Sequence, residues 1–273
     1  MPKRLLFVLL LLAALPLQAA PRVVVSVPPL HSLVTALMEG VATPELLLRS
    51  ESEARADQLT HAQMRLVLQA DLLLWSGPEY ETALAAALEQ TPAAARQAMM
   101  MAHHLPLLAA LPGSPLAIHG THHHADGIAR DPRFWLDPRL AAIAVHHLTP
   151  HLVRLDPDNT ERYLDNEIRL LARLRQTEEE LRERLAALAG TTVYLKADGA
   201  PYFYHRFGLE AAPALQQADL TGAAHGCMIR GSDVLGQHLR SGSELYFRLL
   251  ARQADDLLNC QPRHAAATAT ATL

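Results

Sequence analysis

Three signatures of catalysis are missing from this sequence. Its 273 residues contain no Gly-X-Ser-X-Gly elbow, no glycine-rich phosphate loop and no His-Glu-X-X-His pair. The usual hydrolase, nucleotide-binding and zinc-protease readings therefore have nothing to rest on, and no enzyme is expected. Positive charge is also scarce. With 24 Lys and Arg against 28 Asp and Glu the net charge is −4, and it falls to −6 if Lys3 and Arg4 are removed with a leader. That balance argues against a nucleic-acid partner. The apolar run Leu5 to Leu15 is too short for a stable membrane span. No cysteine follows it, so a lipid-anchored mature end is not expected.

What is present points to export. Lys3 and Arg4, the apolar run and the small residues of Leu-Gln-Ala-Ala form a signal peptide over residues 1–20, with cleavage near Ala19 or Ala20. The mature chain is then soluble and periplasmic, with no transmembrane helix. In that oxidising compartment Cys227 and Cys260 are expected to form one disulfide; two free thiols serving as metal ligands are the alternative. Fifteen histidines are a high count and hint at metal handling.

The longest periodic stretch runs from Asp156 to Gly190. Asp156 suits an N-cap and Pro157 the first helical position. Tyr163, Leu170, Leu174, Leu181, Leu185 and Leu188 make one apolar stripe, and Glu178–Arg182 and Glu180–Arg184 are i,i+4 pairs. Gly190 reads as the residue that stops the helix. A rod of roughly 45–50 Å exceeds what one small core needs, so it reads as a spine between two lobes; a helical hairpin arm or short coiled coil is the alternative.

Before the spine, apolar strands (Arg22–Val27, Glu45–Arg49, Asp71–Trp75) alternate with helical stretches (31–40, 59–70, about 80–89 and 138–153), the pattern of a parallel sheet covered on both faces. Thr191–Leu195 opens a second β/α unit, 201–207 is helical, and Ser241–Cys260 closes the fold. The expected class is α/β: a lobe over 21–155, a bridging helix over 156–190, a lobe over 191–261 and a disordered tail over 262–273.

Several stretches together resemble one family. They are VPPLHSLVTALMEGVATPELLL, ADLLLWSGPEYE, DPRFWLDP, LDPDNTERYLDN, YFYHRFGL and GSELYFRLLARQADDLLNC. In order and spacing they look like the periplasmic metal-binding proteins of bacterial ABC-type zinc and manganese importers, the zinc-type (ZnuA-like) branch in particular. A histidine-rich loop, 119–126, also stands where zinc-type members carry theirs. The resemblance implies two small β/α lobes bridged by one long rigid helix, with a metal in the cleft held by three histidines and a carboxylate or water. It implies a monomer that passes Zn²⁺, or a similar divalent metal, to the importer's membrane component.

This chain departs from the family pattern at the ligands. The first family histidine falls on Arg55, twenty residues before Trp75, and the second on Arg133. The third falls on Ala197, followed by Asp198 and Gly199. The fourth ligand falls near Gly231, with Asp233 close by. The second lobe also looks shortened between Leu209 and Gly236. Arginine stays protonated and only donates, so the ancestral cleft site is expected to be lost unless a neighbour such as His61 substitutes. Arg55 and Arg133 are expected to point into the cleft, with Asp198 as the carboxylate that pairs with arginine there.

Metal contacts then fall to the loop histidines His119, His122, His123 and His124, whose neutral imidazoles suit Zn²⁺, Cu²⁺ or Ni²⁺; an incidental histidine-rich linker is the alternative. The Met99-Met100-Met101-Ala102-His103-His104 run suits a soft ion such as Cu⁺, or a core strand or helix. His146, His147, His151 and His205 fall at surface-like helical positions and suggest no role. Three functions stay open: metal handling through the loop, an arginine-lined cleft for an anionic ligand, and a docking module without ligand.

Overall fold

The structure is a computed structural model that describes residues 20–112, 114, 116, 128–195, 199–213, 227–229 and 233–260. The signal segment to residue 19, the histidine loop, Ala197, Asp198 and the tail lie outside the described residues.

Short, largely apolar runs become parallel strands that alternate with helices. β1 (Val23–Val25) leads into α1 (Pro28–Leu37), where Pro28 and Pro29 occupy the first helical turn, in which a missing N–H costs nothing. β2 (Glu45–Leu46) follows, then α2 (Glu51–Ala54), capped by the Ser50 hydroxyl, and α3 (His61–Gln69), opened by a Thr60–Gln63 capping box. β3 (Leu72–Trp75), α4 (Thr82–Gln90), α5 (Pro92–Ala95) and β4 (Ala98–Met100) complete this lobe's sheet, whose order is β2-β1-β3-β4 with all strands parallel. The methionine run is thus an edge strand and the turn after it.

A 3-10 turn, Phe134–Leu136, leads into α6 (Pro138–Leu155), which the Asp137 carboxylate caps. The long helix α7 (Thr160–Leu185) is one unbroken run of 26 residues, about 39 Å at the α-helical rise. It packs on α1 and α6 with Tyr163, Leu170 and Leu174 buried, and Leu181 and Leu185 continue the stripe. A buried Asn166 donates to the carbonyls of Leu37 and Glu39, each at 2.9 Å, and so satisfies the C-terminal end of α1.

Two local expectations for this helix are corrected. Asp156 caps no backbone N–H; its carboxylate accepts from the Tyr163 hydroxyl and Asn159 Nδ2 at 2.9 Å. Glu180 accepts from Gln176, while Arg184 reaches across to Asp255 at 2.6 Å, because the closing helix offers a carboxylate closer than the next turn does. The Arg182–Glu178 pair is present. Gly190 takes φ +78° after the final 3-10 turn, a backbone that only glycine adopts freely.

The second sheet, β6-β5-β7, is parallel and three-stranded among the described residues: β5 (Thr192–Leu195), β6 (Glu210–Pro213) and β7 (Cys227–Ile229), with α8 (Tyr202–Arg206) between β5 and β6. The closing helix α9 (Leu245–Leu258) packs on α1, α7 and β7. It is tied to α7 by a bidentate Arg173–Glu244 pair at 2.6 Å and to β7 by the Cys227–Cys260 disulfide. Two parallel-sheet lobes on one long helix are the expected architecture.

Candidate functional site

The DPRFWLDP segment runs through the seam between the sheets. Asp131 and Arg133 are both buried, at 0% and 1% exposure. Arg133 clasps the Asp131 carboxylate through Nε at 2.9 Å and Nη2 at 2.7 Å, and its backbone N–H donates to the same carboxylate at 2.9 Å. Nη2 also donates to the Gly199 carbonyl of the second lobe at 3.0 Å. Burial alone would lower the Arg133 pKa, but the Asp131 charge and hydrogen bonds more than offset it and hold the group above its usual value. Its charge is neutralised on site, as a buried ion requires.

Neighbouring bonds stitch the same seam. The Tyr202 hydroxyl donates to the Asp131 carbonyl and accepts the Leu108 N–H at 2.9 Å. Trp135 Nε1 donates to the Val234 carbonyl at 2.9 Å. Arg206 forks onto Asp137, the α6 cap, at 2.7 and 2.6 Å.

Arg55 closes α2 as its C-cap residue and makes a long 3.4 Å ion pair with Glu51, one turn earlier. Its guanidinium lies 5.7 Å from the Tyr80 ring centroid and that of Arg133 lies 5.9 Å from it, so both arginines share one aromatic face region. Among the described residues, Arg55 Nε and Nη2, Glu51 Oε1 and the buried Tyr80 hydroxyl have no hydrogen-bond partner. Burial, then the Glu51 charge, holds the Tyr80 hydroxyl well above its ordinary pKa, so it stays protonated. Beneath lies Glu81, fully buried, accepting from both Ser26 and Ser76 hydroxyls and from the Ser76 and Gly77 N–H groups at 2.8 and 2.9 Å. Burial raises its pKa to about 7, against the opposing effect of those bonds. The helix that follows begins at Thr82, with Glu81 at its N-cap position.

The two arginine positions thus meet around Tyr80. Asp198, the carboxylate expected to pair with arginine, lies outside the described residues; among those described, Arg133 holds the carboxylate of Asp131, two residues away, on which a guanidinium fork closes readily. The second lobe contributes the Gly199 carbonyl. Asp131, Tyr202, Tyr80 and Glu81 were not singled out by sequence. The Asp-X-Arg spacing was the one available clue. His61 is exposed at the first position of α3. Asp233 accepts the Gln237 N–H at 3.1 Å through one oxygen, and its other oxygen is buried without a partner among the described residues. No three His, Cys, Asp or Glu side chains among the described residues are grouped to hold a metal ion.

Two small parallel-sheet lobes joined at such a seam by one long helix define a solute-binding protein of the rigid-helix type. A family model described as zinc-uptake complex component A, periplasmic, matches residues 23–225, and the chain belongs to that family. The high-affinity zinc uptake system protein ZnuA of Paracoccus denitrificans is 29% identical over 237 residues, covering 76% of this chain and 70% of the relative. The protein of the same description from Brucella abortus (strain 2308) is 24% identical over 306 residues, covering 88% and 92%. A crystal structure of ZnuA superposes with a TM-score of 0.67 at 18% identity, covering 88% of this chain and 99% of that one, which is a likeness of fold. Among the described residues no helix is long and apolar enough to cross a membrane.

Proposed function

We propose that this chain is an exported zinc-handling binding protein, not an enzyme, whose cleft takes no bare divalent cation. Its zinc contacts are the loop histidines His119, His122, His123 and His124. The observation that carries this is the Arg133–Asp131 clasp, buried at the position the resemblance assigns to a ligand and bonded to the Gly199 carbonyl. A cation entering there would meet the Arg133 guanidinium, which only donates, and would have to displace a neutralised ion pair to reach the Asp131 carboxylate. Adjacent imidazoles in a loop give adaptable Zn²⁺ binding without a preorganised cage.

The same reading takes the family's compartment for this chain. A leader over 1–20 is removed near Ala19 or Ala20, a lobe spans 21–155, the bridging helix 156–190, a smaller lobe 191–261 and a tail 262–273. The mature monomer presents zinc to the membrane component of an ABC-type importer.

One observation favours a second reading. Tyr80 and Arg55 leave donors unpartnered among the described residues, so an anionic chelate of a metal would find hydrogen bonds where a bare ion finds none.

Calorimetric titration of the mature protein with Zn²⁺, with and without residues 119–124, separates these readings. Micromolar binding that disappears with the deletion supports the loop. Nanomolar binding that survives it overturns the proposal. Binding only in the presence of a carboxylate chelator favours the second reading.

A further inference from the structure

The methionine run, set aside above as an edge strand, ends in a groove of about 750 Å³ on the outer side of the first lobe. Met99, Met100, His103 and His104 form one wall, and His147 and His151 of α6 form the other. The four histidines are exposed, and the two methionines are half-buried. His147 and His151 are four residues apart on one helix, so their rings project from the same face a turn apart, the spacing that lets two imidazoles chelate one ion. On the opposite wall His104 takes φ +68°, which non-glycine residues seldom adopt, and its ring stands edge-on to His103 with centroids 3.7 Å apart.

At the rim, His146 is oriented by a carboxylate. Its Nδ1 lies 2.7 Å from Glu167 Oε1. A carboxylate only accepts, so Nδ1 donates, the carboxylate–histidine pairing found behind metal-bound histidines. Among the described residues no Asp or Glu lines the groove. Its donors are therefore imidazole nitrogen and thioether sulfur, a set that disfavours Mg²⁺, Ca²⁺ and Mn²⁺ and suits copper, Cu⁺ in particular.

We propose that this groove binds one Cu⁺ ion, held by His147 and His151 from α6 and by a histidine and a methionine thioether from the strand-end wall. Among the described residues the histidines are not already grouped for coordination, so exposed rings rotate onto the ion as it arrives. The site shares no residue with the seam or with the 119–124 loop, and stands whether or not the loop holds zinc.

The test uses the mature chain with His119, His122, His123 and His124 replaced by serine, so that the loop contributes nothing. Cu⁺ is supplied under ascorbate in competition with bicinchoninate. The expected result is one equivalent withdrawn from the chelator, with affinity at least tenfold weaker after His147→Ala with His151→Ala, and unchanged after His205→Ala on the other lobe. These side chains are exposed, and a matched thermal melt shows that the variants remain folded. Copper-edge absorption should show a sulfur neighbour that disappears in Met99→Leu with Met100→Leu. Retention that vanishes with the loop histidines, or that persists in the α6 double variant, overturns the proposal. So does a groove that holds Zn²⁺ but not Cu⁺ in the parallel competition.

Discussion

Arg133 and Gly199 lie 66 residues apart in the chain and meet at 3.0 Å across the seam between the lobes, the arginine carrying Asp131 with it. A guanidinium that binds a carboxylate on its own side and a carbonyl on the other acts as a strut. It occupies the place where the resemblance expects an imidazole and an ion. The lobes of this protein are joined at that place by a hydrogen bond between groups of the chain itself.

Removing the guanidinium should therefore cost stability rather than affinity. In Arg133→Ala the buried Asp131 carboxylate loses its counter-ion, and an uncompensated buried charge costs about 3–5 kcal/mol. Urea unfolding at neutral pH should show a lower midpoint with little change in slope. Arg133→Ala combined with Asp131→Ala should recover part of the loss, since no charge is then stranded. A single variant as stable as the parent would mean that the clasp holds nothing.

Glu81 gives the protein a pH dependence of unusual sign for a carboxylate. Its folded pKa is raised to about 7 by burial, against an unfolded value near 4.3. Below the lower value both states are protonated and the group contributes no difference. As pH rises between the two, the unfolded chain gives up its proton while the folded one keeps it, so stability falls, by about 4 kcal/mol across the window. Glu81→Gln should flatten that slope. The amide oxygen can take the Ser76 and Gly77 donors, and the amide nitrogen can donate to the Ser26 hydroxyl. Chemical unfolding at intervals from pH 4.5 to 7.5 reads the difference, and identical slopes in parent and variant would count against it.

These cases show what the sequence carried and what it did not. Strand and helix positions were legible because Val23–Val25 and Leu72–Trp75 are apolar runs closed by breakers, and because the α7 stripe repeats without interruption. That position 133 would fall at the seam was legible from the Trp-Leu-Asp-Pro motif beside it. The partner of Arg133 was not, since any nearby carboxylate satisfies a guanidinium, and only the path of the backbone selects Asp131. Glu81 was illegible for a related reason. A glutamate at the start of a helical pattern reads as an exposed first-turn charge, until the strand-end hydroxyls of Ser26 and Ser76 fold over it. The Met and His walls of the groove lie over forty positions apart in sequence, so periodicity alone could not bring them together.

The Cys227–Cys260 bond anchors β7 to the end of α9 and closes a separation of 33 residues. Restricting the unfolded chain by a loop of that size stabilises by roughly 3–4 kcal/mol. Cys227→Ser with Cys260→Ser should lower the melting temperature, and the intact exported protein should be two hydrogens lighter than its reduced form in non-reducing mass analysis. Two thiols that alkylate without reductant would rule the bond out in solution.

Restoring the three family imidazoles tests the reading of the cleft directly. The substitutions are Arg55→His, Arg133→His and Ala197→His, made in the chain with residues 119–124 deleted so that the loop does not mask the result. Each removes an obstacle to a cation. At 55 a donor beside Tyr80 becomes a neutral ligand. At 133 the clasp opens and leaves Asp131 as an oriented carboxylate behind a histidine, the arrangement that raises imidazole basicity toward a metal. At 197 a third nitrogen is supplied, two residues before Gly199 in the sequence. Three nitrogens with an oxygen or water meet the tetrahedral preference of Zn²⁺. We expect zinc affinity to rise at least a hundredfold over the loop-deleted parent, with the melting temperature lower in the apo form and recovered on adding zinc, since an ion that binds only the folded state stabilises it. The paired readouts matter because the triple variant gives up the strut. A variant that is destabilised and gains neither affinity nor zinc-dependent recovery would show that positions 55, 133 and 197 do not face one point, and the alignment of the lost ligands would have to be redrawn.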